Sequence, residues 1–138
     1  MCMPDEPWSY GLYIPHDPRA VGIVRATLRS ILAAARLDCL IDTTELLVSE
    51  LVTNAYRHSG CDDAFVSVDW VPDDLRVAIW DTGPSLPRTL EPGPEDESGR
   101  GLGLVEALAE TWGVDESTDK AGAVTGKAVW FRMAPKSA

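Results

Sequence analysis

The chain has 138 residues, with 45% hydrophobic and 25% charged residues and a formal net charge of -10 at pH 7. These are ordinary globular proportions, which exclude a disordered or collagen-like chain, and the length suits one domain over residues 1–138 with a sizeable core. Only 12 Lys and Arg are present, so a nucleic-acid partner, which would need clustered basic residues, is not expected.

The opening "MCMPDEPWSY" lacks the basic and apolar regions of a signal peptide, and no apolar run approaches the length of a membrane span. A cytoplasmic protein with no membrane association is expected. Cys2, Cys39 and Cys61 are odd in number, widely spaced and without a CxxC pair, which predicts free thiols rather than disulfides or a zinc site.

"WSYGLYI", Trp8 to Ile14, is aromatic-rich and runs into Pro15, predicting a first strand suited to a sheet edge. Asp17 then reads as an N-cap with Pro18 at the first helical position, and Val21, Val24, Leu28, Ile31, Leu32 and Ala35 recur on one face of a helix reaching about Arg36. Arg25 and Arg29 form a basic stripe on that helix, either a solvated face or a surface for an acidic partner. A second helix spans "DTTELLVSELVTNAYRHSG", with Asp42 and Glu45 as a capping-box-like start and Gly60 as its stop. Leu47, Leu51 and Ala55, with Val48 and Val52, supply its apolar stripe, flanked by Glu50 and Asn54.

"AFVSVDWV" and "LRVAIWD" alternate in polarity around "PDD", predicting an antiparallel hairpin with Ala64, Val66, Val68 and Trp70 on one side and Phe65, Ser67 and Asp69 on the other. From Thr82 to Gly99 the composition is that of a loop, long enough to serve as a lid. "GRGLGLVEALAETWG" resumes a helical period and is expected to stop at Gly113, followed by strands "VDEST" and "GKAVWFRM" around the turn "DKAG". The expected fold is α+β: a two-layer sandwich of a mixed, mostly antiparallel sheet with helices on one face.

Three features carry chemistry. Glu50 and Asn54 are four apart on a helix, so a carboxylate and an amide oxygen share one face. A solvated helix edge explains the pair taken alone, whereas Asn54 as a Mg2+ ligand and Glu50 as a base would explain it as a site. Asp81 ends a strand before Thr82-Gly83, where a carboxylate can accept from an exocyclic amine such as that of adenine; a plain Asx turn is the other reading. "GRGLGL", Gly99 to Leu104, places bare N–H groups at a helix start, where phosphates bind, without matching a dinucleotide fingerprint or a Walker motif.

In this order, "ELVTNA", "DTG" and "GRGLGL" resemble the N box and the two glycine boxes of the GHKL (Bergerat-fold) ATP-binding superfamily, and in particular its small anti-sigma-factor serine/threonine kinases. The resemblance implies ATP and Mg2+ as cofactors. It implies Asn54 as the metal ligand, Glu50 as catalytic base or water-orienting acid, and Asp81 on the adenine amine with Gly83 beneath the ring. Gly101, Gly103 and the N–H groups of Leu102 and Leu104 would face the phosphates, and Arg100 either joins them or is solvated. His58, one turn beyond Asn54, reads as a helix-terminal residue before a catalytic one. Two positions depart from the pattern: Ser85 stands where a second glycine follows Gly83, and Gly126-Lys127 stands where many relatives carry Gly-Thr, with Thr125 an alternative hydroxyl.

The implied function is an anti-sigma-factor-like protein kinase that phosphorylates a serine or threonine of an antagonist and sequesters a sigma factor, with homodimerisation. The alternative is a nucleotide-binding interaction module with weak or no kinase activity. No phosphoacceptor helix pair is expected before the second helix, which argues against a complete sensor histidine kinase. An ATPase clamp or topoisomerase subunit would need transducer or coiled domains, and is not expected.

Overall fold

The computed structural model describes residues 6–59, 63–81, 107–118, 120–122 and 124–135. Strand β1 (Trp8–Pro15) leads to helix α1 (Ala20–Ala34), a 3-10 turn over Asp38–Leu40, and helix α2 (Ile41–Ser59). Strands β2 (Asp63–Val71), β3 (Asp74–Asp81), β4 (Thr111–Thr118) and β5 (Val124–Met133) follow. The sheet order is β1-β2-β3-β5-β4. Every pairing is antiparallel, so the parallel component of the expected mixed sheet is absent among the described residues.

The hydrophobic periods read from the sequence form the interface between layers. Val24, Leu28 and Leu32 of α1 and Leu47, Val48, Leu51 and Val52 of α2 are buried in one core with Val66, Val68, Val77, Ile79 and Phe131 of the sheet. Residues of alternate parity, such as Phe65 and Ser67, turn to the other face, as strand alternation requires. Strand β1 is an edge, as its proline-ended run predicted. Pro72-Asp73 closes the β2–β3 hairpin, with Val71 paired to Asp74 and Asp73 at φ 66°.

Helix ends differ from expectation for identifiable reasons. Asp17 is not the N-cap: its Oδ1 accepts from the Arg19 N–H at 2.8 Å and its carbonyl from the Ala20 N–H at 2.9 Å, so a turn precedes the helix and Arg19 takes the cap position. Pro18 accordingly lies in that turn. At the other end, Arg36 adopts φ 63°, and the bonds Leu37 N–H to Leu32 O (2.8 Å) and Arg36 N–H to Ala33 O (3.1 Å) make a Schellman stop without glycine. Helix α2 begins at Ile41, which places Asp42 inside its first turn instead of at the cap.

Glu45 does not reach back to cap that helix. It is buried and paired with both arginines of the basic stripe: Arg25 Nε is 3.5 Å from Oε1, and Arg29 contacts Oε2. Arg29 also lies 3.7 Å from Asp42. The stripe is solvated, with both arginine side chains more than half exposed, and it also joins α1 to α2 through Glu45.

Gly113 does not end a helix. Helical backbone stops at residue 108, the Glu110 N–H donates to the Arg132 carbonyl at 2.9 Å, and β4 begins at Thr111. Gly113 sits opposite Trp130, whose ring lies where a Cβ would be: Cζ2 would be 2.6 Å away. The glycine serves close side-chain approach, the use a strand makes of it beside an aromatic.

Candidate functional site

Two of the residues singled out from the sequence are brought together by the sheet and the second helix. Asp81 is the last residue of β3, with a parity that points it to the helix layer along with Val77 and Ile79. Asn54 lies on α2 three residues after Leu51, on the same buried side, and is 4% exposed. Both line a cavity of ≈ 20 Å³, whose apolar walls are Leu51, Ala55, Ile79 and Val129. Such a volume suits about one water-sized group.

The third polar residue of this cavity is Lys127, paired in register with Asp81 across β3 and β5. Its Nζ lies 3.7 Å from Asp81 Oδ2, and the two side chains are 5% and 3% exposed. Lysine and aspartate are almost never buried to this extent unless paired. The Asn54 Nδ2 is buried with no hydrogen-bond partner among the described residues. A buried amide donor without a partner calls for an explanation, and a ligand or water in the adjoining cavity supplies one.

Glu50 lies one turn before Asn54, half-buried, and does not line this cavity. Gly83, Ser85, Arg100, Gly101, Leu102, Gly103 and Leu104 fall outside the described residues, as do the lid-like stretch 82–99 and the side chains of His58 and Thr125. Of the cysteines, Cys39 is an exposed free thiol, and Cys2 and Cys61 fall outside the described residues. Trp80 is half-buried on the sheet face away from the helices, as its parity opposite to Ile79 and Asp81 requires. Beside α2 a wider cavity of ≈ 540 Å³ opens between His16, Asp17, Thr53 and Tyr56, with the His16 ring stacked on Tyr56 at 4.6 Å.

Lys127 was legible only as a departure from a family pattern, yet a signal for its position was present. In "GKAVWFRM", Lys127 shares the parity of Val129, Phe131 and Met133, the residues that face the core. A lysine at the head of a buried strand face needs a counter-charge, and Asp81 ends the neighbouring strand.

A carboxylate and an amide at the end of an apolar slot suit the polar edge of a planar base, which fits adenine. One amide oxygen fits Mg2+ only when nucleotide phosphates and waters complete the coordination, which is the usual protein contribution for this ion. Among the described residues there is no cluster of three His, Cys, Asp or Glu that could hold a metal unaided. No helix of the described residues is long and apolar enough to cross a membrane.

The comparisons with known proteins agree with this architecture. The histidine kinase-like ATPase domain family matches residues 14–133. An uncharacterized protein of Streptomyces coelicolor is 38% identical over 78 residues, covering 53% of this chain and 73% of that protein. The crystal structure of the RsbU and RsbW domains of a Mycobacterium tuberculosis protein superposes with a TM-score of 0.64 at 24% identity, over 91% of this chain and 32% of that one. The Acinetobacter baumannii histidine kinase AdeS superposes with a TM-score of 0.53 at 16% identity, over 91% of this chain and 68% of that one. This chain thus spans about a third of the mycobacterial protein, and at these identities the two structures establish the shared fold.

Proposed function

We propose, from the premise that the chain belongs to the histidine kinase-like ATPase family, that it is an ATP-binding regulatory protein. In this reading it transfers a phosphoryl group to a serine or threonine of an antagonist protein and captures a sigma factor or similar regulator. The observation that carries the nucleotide site is the convergence of Asp81 and Asn54 on one buried cavity with apolar walls.

Each residue has a role that its chemistry permits. The Asp81 carboxylate would accept from the exocyclic amine of adenine, the cavity taking that edge of the base and not the whole ring. Asn54 would offer its amide oxygen to the metal, and Gly83, Gly101 and Gly103 would let the backbone approach the ring and the phosphates. Mg2+ and ATP, when bound, supply the transferable phosphoryl group and the cation that neutralises its charge. Glu50, one turn before Asn54 and half-buried, takes the proton of the acceptor hydroxyl or orients it. Sigma factor, antagonist and a second copy of the chain are the proposed partners, and the cytoplasm the proposed compartment.

A second reading, a nucleotide-binding interaction module with weak or no kinase activity, is favoured by Lys127, which places a fixed positive charge in the same cavity. Calorimetric titration of ATP and ADP, with and without Mg2+, tests the site that both readings share. Saturable binding that loses Mg2+ dependence in Asn54→Ala and falls at least about tenfold in Asp81→Asn is expected. No binding by the folded wild-type protein refutes the nucleotide site. Loss of phosphoryl transfer with retained binding in Glu50→Ala separates the kinase from the module.

A further inference from the structure

The geometry points to Lys127 as a base-reading residue: its ammonium donates to the ring N1 of adenine while Asp81 accepts from the neighbouring 6-amino group. This rests on the nucleotide reading above and adds to it the residue that completes recognition of the base edge.

Lys127 and Asp81 are cross-strand partners, so a residue on β5 and a residue on β3 present their polar ends side by side at the same level of the sheet. Nζ and Oδ2 are 3.7 Å apart, close enough to attract but longer than a hydrogen bond, so the ammonium's protons are not committed to that oxygen. Ammonium offers three donors and no acceptor, and carboxylate offers acceptors only. The pair therefore reads one pattern, a donor beside an acceptor, and the adenine edge carries a donor at the amine beside an acceptor at N1. A hydroxyl, able to donate or accept, would read less strictly.

Stability gives no reason for such a pair. A buried ion pair contributes little net stability compared with apolar residues of similar volume, because desolvation offsets most of the attraction. The next positions of the same parity on β5, partly buried Val129 and buried Phe131, are apolar, so an apolar residue would suit position 127 on packing grounds alone. Asn54, whose Nδ2 has no hydrogen-bond partner among the described residues, lines the same cavity.

The test compares ADP with 1-deaza-ADP, in which a C–H replaces N1, by calorimetry on wild type and Lys127→Met. Wild type is expected to bind ADP about ten- to hundredfold more tightly than the deaza analogue, the value of a hydrogen bond to a charged group. Lys127→Met is expected to bind the two alike. A residue that merely braces Asp81 would weaken both ligands equally and leave the discrimination in place, which overturns the inference. Equal binding of the two ligands by wild type overturns it also, with no need for a folded variant. Tighter ADP binding by Lys127→Met would show the ammonium to be an obstacle. Wild type that binds ADP while failing these criteria leaves the nucleotide reading standing, whereas folded wild type that binds neither ligand refutes both.

Discussion

Removing the ammonium of Lys127 without removing the carboxylate it faces should be among the more damaging single changes in this chain. The two charges are 3.7 Å apart and nearly inaccessible, so solvent screening is weak. At an effective dielectric of about 20, unit charges at that separation attract by roughly 4 kcal/mol. In the folded protein this attraction offsets the desolvation of both groups; in Lys127→Met the carboxylate remains buried without its ammonium. Breaking a buried pair from one side typically costs about 3–5 kcal/mol, and about 3 kcal/mol is expected here. For a chain of this size that lowers the melting temperature by roughly 10 °C. Combining Lys127→Met with Asp81→Asn removes both charges and should return stability to within about 1 kcal/mol of wild type. Urea unfolding followed by tryptophan fluorescence measures all four species, and the coupling between the two sites should be at least about 2 kcal/mol. A double variant as unstable as the sum of the singles would refute the reasoning, since it would mean that the two groups do not compensate each other.

Other outcomes follow from the fold. Gly113→Ala, by placing a Cβ 2.6 Å from the Trp130 ring, should cost about 1–3 kcal/mol in the same urea assay. Thermal unfolding unchanged within error would mean that the ring moves aside freely. Asp17 is partly exposed, and the hydrogen bonds from the Arg19 side chain and backbone lower its pKa from 3.8 to about 2. Because the folded value is depressed, its contribution is complete above the unfolded pKa and is lost as pH falls from about 4 towards 2. Carboxyl-carbon NMR titration should place its midpoint near 2, and Arg19→Ala should return it towards 3.8.

What could be read from the sequence was what depends on local periodicity. Val24, Leu28 and Leu32 announce the buried face of α1, and Ala64, Val66 and Val68 that of β2, because side-chain direction along one element is fixed by its repeat. Contacts between elements carry no such mark. The ion pairs of Arg25 and Arg29 could not be read from their stripe, since their partner, Glu45, sits on another helix and itself read as a cap. Gly113 read as a helix stop, the commoner use of glycine after a periodic run, because Trp130 lies on the following strand. At the site, Asn54 and Asp81 were legible as chemistry out of place on apolar elements. Lys127 was legible only as a departure, since its meaning depends on which residue of β3 it faces.

That dependence makes strand register part of the site. Slipping β5 by one residue against β3 would set Ala128 or Gly126 opposite Asp81 and send Lys127 to the face without helices. The same register is gripped from the far face, where the Arg76 guanidinium of β3 lies 5.2 Å from the centroid of the Trp130 ring on β5, a ring that also fills the space Gly113 leaves on β4. Arg132 pairs with Asp74 further along the strand, tying β5 to the start of β3. Asp81 and Lys127 therefore meet because contacts on the opposite side of the sheet exclude the neighbouring registers, and packing with no ligand contact of its own positions the charges that would read one.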